Sequence, residues 1–147
     1  MGKWLDDRSG NPVTVLSTEL NSLTTTGSGL SGAIDNDADH DVLARAMLDI
    51  SYASAPTAGT VIDLYLVTQI GGTYEDASTT GPIIPKNGWC ASFELRAVTG
   101  QQLIASSPFL VPLGDHKYLA VARTTGQTAA ASGNTVKVMY YKTGPSA

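Results

Sequence analysis

Four carboxylates stand at alternate positions in IDNDADHD: Asp35, Asp37, Asp39 and Asp41. In an extended segment they project on one side, and hard oxygen ligands so spaced resemble the opening of a calcium loop. The helix-loop-helix calcium pattern is broken twice, however. His40 stands where the sharp turn needs Gly, and Ala46 stands where the bidentate Glu belongs. Asp35, Asp37 and Asp39 are the metal candidate, set against the plainer and preferred reading of a solvated acidic turn before a long strand. His40 and His116 are the only histidines, so a two- or three-histidine centre lacks ligands. There is no G-x-S-x-G elbow, and GSGLSG neither matches the P-loop spacing nor precedes a Lys. Asp115 and His116 are adjacent beside Gly114, where turn chemistry explains them better than a catalytic dyad. Tyr52, Tyr65, Tyr74, Tyr118, Tyr140 and Tyr141 with Trp4 and Trp89 are candidates for a sugar-stacking platform. Most are better placed in a core or its rim. No catalytic constellation emerges and no cofactor is implied, so a non-enzymatic role is expected.

The elements that must position these groups are strands. Between Asp41 and Thr68, Ala44, Ala46, Leu48, Ile50 and Tyr52 share one parity while Arg45, Asp49 and Ser51 share the other. Ile62, Leu64 and Leu66 then alternate with Asp63 and Tyr65, which predicts two long half-buried strands. SAPTAG between them carries Pro56 and Gly59, so the chain is expected to reverse there in a tight loop. Shorter strands are expected in PVTVLSTEL, around Leu30 to Ile34, in WCASFELRAV with Ala91, Phe93 and Leu95 inward, and in QQLIASSPFLVP on either side of Pro108. Two more follow in HKYLAVAR, with Leu119 and Val121 inward, and in NTVKVMYYK. The stretch QIGGTYEDASTTGPIIPKNG reads as a loop of unusual length, which implies a function or a partner.

About eight strands with turns between them and no amphipathic helix predict an all-β, single-domain antiparallel β-sandwich. A jelly roll is preferred and an immunoglobulin-like sandwich is the alternative. Residues 1–11 read as an N-terminal arm anchored by Trp4 and Leu5, residues 12–143 as the sandwich, and residues 144–147 as a tail. Apolar residues are 42% of the chain and charged residues 15%, with a net charge of −4. The nine Lys and Arg are scattered, which disfavours a nucleic-acid groove. No apolar run approaches membrane-spanning length, no signal-peptide core is expected, and Cys90 is the only cysteine, a small buried hydrophobe unable to form an intrachain disulfide.

The segments TELNSL, GSGLSGAIDN, APTAGTVIDLYLV, FELRAVTGQQ, VPLGDHKYLAVARTTG and AASGNTVKVMYY occur in that order over about residues 18–142. In order and spacing they resemble a family of small structural proteins of tailed bacteriophages. The resemblance implies a virion component of the capsid decoration or cement type with a jelly-roll-like sandwich. Such a protein is made in the host bacterial cytoplasm and sits on the outer surface of the capsid. Its partners would be the major capsid protein and other copies of itself, as dimer or trimer, with neither nucleic acid nor membrane. Contacts are expected where apolar residues lie outside the core pattern: Trp4 and Leu5 in the arm, and Pro82, Ile83, Ile84, Pro85 and Trp89 in and after the long loop. The alternative is a tail-associated or host-surface glycan-binding sandwich.

Overall fold

The computed structural model describes residues 5–7, 11–36, 41–81 and 83–143. Its strands are β1 (Leu5–Asp7), β2 (Val13–Leu16), β3 (Ser28–Leu30), β4 (Leu43–Tyr52), β5 (Val61–Val67), β6 (Gln69–Ile70), β7 (Thr73–Tyr74), β8 (Trp89–Glu94), β9 (Gly100–Ala105), β10 (Phe109–Leu110), β11 (Lys117–Arg123) and β12 (Thr135–Thr143). One sheet runs β2-β12-β4-β9, with β1 extending the β2 edge along β12 and β10 extending the β9 edge along β4. The facing sheet runs β3-β11-β5-β8. Counting only these eight principal strands in chain order, the two sheets read 1-8-3-6 and 2-7-4-5. That is a jelly roll, as expected, and its order excludes the immunoglobulin-like alternative.

Every principal connection crosses from one sheet to the other except that between β5 and β8. The expected tight reversal between β4 and β5 is therefore an arch. β4 pairs with β12 and β9, whereas β5 pairs with β11 and β8. Alternation looks the same for a hairpin and for an arch, because in both cases each strand turns one face to the core. Gly59 supplies the arch with a φ of +80°, a conformation glycine adopts without penalty.

The inter-sheet core takes Leu48, Ile50 and Tyr52 from β4, Ile62, Leu64 and Leu66 from β5, Ala91 and Phe93 from β8, and Val136, Val138 and Tyr140 from β12. Each large side chain so buried contributes about 1.5–3 kcal/mol. β11 departs from its expected parity, since Tyr118, Ala120 and Ala122 face this core. Leu119 and Val121 point outward with Tyr65 and Val67, and they are buried too. The long loop causes this double burial. It forms the β6-β7 ribbon and a bridge between Ser78 and Ile83, and it lays Tyr74, Ala77 and Ile84 over the outer face of the sheet. Leu5–Asp7, expected in an arm, instead pair with Thr143, Lys142 and Tyr141 of β12. Trp4 and the tail 144–147 lie outside the described residues.

Candidate functional site

The feature that most alters the surface is a bulge in β8. Leu64 faces Ala91 and Tyr65 faces Trp89, so Cys90 is an extra residue in the pairing. Ala91 is buried, and strict alternation from it carries Trp89 to the core side. The bulge turns the indole outward instead, the re-aiming that such irregularities produce. Gly88 admits this path because its carbonyl accepts the Leu66 N–H at 2.7 Å, while a Cβ there collides with the Leu66 carbonyl oxygen.

Trp89 borders a groove of about 890 Å³ where the β8 edge of one sheet meets the β10 edge of the other. Its floor includes the buried Leu66, Phe109 and Val111, and its rim includes Ile70, Trp89 and Leu110. Those rim side chains are 89%, 59% and 76% exposed. Among the described residues Trp89 is the one exposed aromatic. The ribbon that forms one wall is clamped at two points. The Thr68 N–H and hydroxyl both donate to Glu75 Oε2, at 2.9 and 2.7 Å. Lys117 Nζ stands 4.5 Å from the centre of the Tyr74 ring, a cation–π distance.

Polar contacts hold the indole. Trp89 Nε1–H donates to Ser92 Oγ at 3.0 Å, and Ser92 Oγ–H donates to Asp63 Oδ1. Arg123 Nε donates to Asp63 Oδ2 at 3.0 Å, and Arg123 Nη2 donates to the Tyr65 hydroxyl at 2.6 Å. Cys90 packs against the core and its thiol donates to the Leu64 carbonyl at 3.3 Å. Burial pushes that thiol up to about 12, far from a reactive thiolate at neutral pH.

The remaining candidates separate. Ile83 is exposed, whereas Ile84 packs on the outer cluster and Pro85 is buried, so those two serve the chain's own fold. Leu5 lies in β1, and Pro82 lies outside the described residues. Asp35 is exposed, while Asp37, Asp39 and His40 lie outside the described residues. Asp41 is buried and its N–H donates to Asn36 Oδ1 at 2.8 Å. Among the described residues no cluster of three His, Cys, Asp or Glu is placed to hold a metal. His116 and Asp115 diverge: Asp115 Oδ1 accepts the Asn36 N–H at 3.2 Å, while His116 turns into the core. His116 Nδ1 lies 3.2 Å from the Gly114 carbonyl, which only accepts, so Nδ1 carries a proton, and Nε2 lies 2.9 Å from the Tyr140 hydroxyl. Tyr118 completes the chain, 2.6 Å from the Tyr140 hydroxyl. Tyr52, Tyr118 and Tyr140 are fully buried and Tyr65 nearly so, so these four form no exposed platform.

No family model matches the chain, and no curated protein matches it. Solved structures similar to it share little sequence. One is a glycoside hydrolase family 43 arabinoxylan arabinofuranohydrolase from Bacillus subtilis, in complex with cellotetraose, at 14% identity and a TM-score of 0.39. The match covers 97% of this chain and only 27% of that one, so the chain spans about a quarter of that enzyme's length. Carbohydrate-binding module CBM36, in complex with calcium and xylotriose, is similar at 7% identity and a TM-score of 0.47, over 94% of this chain and 98% of that one. The K1 cleaved adhesin domain of Lys-gingipain from Porphyromonas gingivalis W83 is similar at 11% identity and a TM-score of 0.48, over 95% and 90%.

The sequence marks Trp89 as a candidate contact residue but not Ile70 and Leu110, which line the same groove. A signal was present for Leu110: Phe109 and Val111 share the core parity, which leaves Leu110 apolar on the other. Ile70 follows the last alternating position of β5 and carries no such mark.

Proposed function

We propose that this chain is a non-enzymatic binding module that attaches to a protein surface through the groove bordered by Ile70, Trp89 and Leu110. The observation that carries the reading is the meeting of three exposed, large apolar side chains on one groove with a buried apolar floor. Exposed apolar patches rimmed by polar residues often mark interaction sites. Aromatic and aliphatic anchors around a pocket are the usual centre of a protein interface. Combined with the phage-like order of sequence segments, the groove supports a capsid decoration protein that grips the major capsid protein from outside and stabilises the shell. Repetition over many symmetry-related sites makes modest affinity per copy sufficient.

A second reading is favoured by the groove's polar lining. Thr68, Thr73, Glu75 and Asn87 line the same groove as the indole, a combination suited to a sugar ring with its apolar face on the aromatic. Two of the similar structures are named with a bound oligosaccharide, cellotetraose in one and xylotriose in the other. The two readings part in one experiment, in which the purified chain is sedimented with empty heads of the phage that encodes it, produced without it, and separately with insoluble polysaccharides. Saturable sedimentation with the heads alone supports decoration. Sedimentation with a polysaccharide alone transfers the function to glycan binding.

A further inference from the structure

Exposed tryptophans ordinarily sample several rotamers, and a partner that binds one must then order it. Trp89 departs from this in two independent ways. The bulge at Cys90 sets the direction in which its side chain leaves the strand, and its only polar atom is committed to Ser92. The donor roles in the relay are fixed by chemistry at every link. The indole N–H only donates, so the Ser92 hydroxyl accepts from it and gives its own proton to Asp63 Oδ1. The carboxylate only accepts, and Arg123 only donates, to Asp63 Oδ2 at 3.0 Å and to Tyr65 at 2.6 Å. The relay thus crosses β8, β5 and β11 and ends on the buried Tyr65, over whose ring Arg123 lies at 5.8 Å. An isolated surface Arg–Asp pair contributes little to stability, so the relay's worth lies elsewhere.

We propose that Ser92, Asp63 and Arg123 are positioning residues that preset the Trp89 indole in its outward orientation, making it a preorganised anchor for the partner in the groove. This rests on the reading of the groove as the docking site. Preorganisation raises affinity by removing the cost of immobilising the side chain on binding.

The test measures sedimentation of the variants with the empty heads and, separately, time-resolved fluorescence anisotropy of Trp89 in a Trp4→Phe background, where it is the sole tryptophan. Ser92→Ala is expected to speed the indole's local motion and to weaken binding about 3- to 10-fold, with the melting temperature little changed. Ser92→Thr, which keeps the hydroxyl, is expected to restore both. In a Trp89→Phe background, which lacks the N–H, Ser92→Ala is expected to add no further loss. If Trp89→Ala weakens binding while Ser92→Ala leaves both motion and affinity at wild-type values, the positioning role is overturned and the docking site stands. If Trp89→Ala binds the heads like wild type, the docking site falls and the positioning role falls with it.

Discussion

Gly88 shows how a single missing Cβ shapes the groove. An Ala there collides with the Leu66 carbonyl oxygen and crowds Pro85 Cβ at 3.1 Å, at the point where β8 begins. Gly88→Ala is expected to lower unfolding free energy by about 2 kcal/mol or more, read from urea denaturation. The Cys90 thiol, in the bulge itself, is shifted in the opposite direction from a reactive thiolate. Its ordinary value is 9.0, and burial in the fold raises it to about 12. The neutral thiol's contribution to stability is therefore fully present below pH 9 and is lost as pH rises toward 12. Cys90→Ala should flatten that alkaline decline in a pH series of melts, and wild-type Cys90 should react with a thiol reagent at pH 8 only after denaturant is added. In the core, Tyr140→Phe removes the hydroxyl that stands 2.9 Å from His116 Nε2. The expected cost is about 1–3 kcal/mol for a buried polar group losing its hydrogen-bond partner, again by denaturation.

At the scale of elements, the cover over the β3-β11-β5-β8 sheet is the least expected part of the chain. Ile84 packs there with Leu119 and Val121, so Ile84→Asp puts a carboxylate into an apolar cluster and should destabilise by about 2–3 kcal/mol. A melt unchanged by Ile84→Asp would mean that the loop is not fastened to the sheet. Most strands were legible in the sequence because alternation reports which residues share a face. It does not report which strand is the neighbour. For that reason β4 and β5 read as a hairpin, and Leu119 and Val121 read as the core side of β11. When both faces are buried, as in β11, parity carries no information about which face meets the other sheet. The site was legible only in part. Trp89 was marked as an apolar residue at the end of a long loop, but its exposure depends on a bulge that shows only when Ala91 and Trp89 are paired with successive residues of β5.

For the whole molecule, the jelly roll covers one outer sheet face with its own loop and leaves an apolar groove at the seam between the sheets. The β6-β7 ribbon, the bulge at Cys90 and β10 line that groove. The most direct measurement is a binding isotherm from sedimentation with empty phage heads, comparing wild type with Leu110→Asp. Leu110 is exposed and its side chain is not needed by the core, so the variant should melt like wild type. The expected result is saturable wild-type binding at a fixed number of copies per head, weakened about 30-fold or more by Leu110→Asp. Equal binding by the two proteins, or no binding by either, would contradict attachment through the groove.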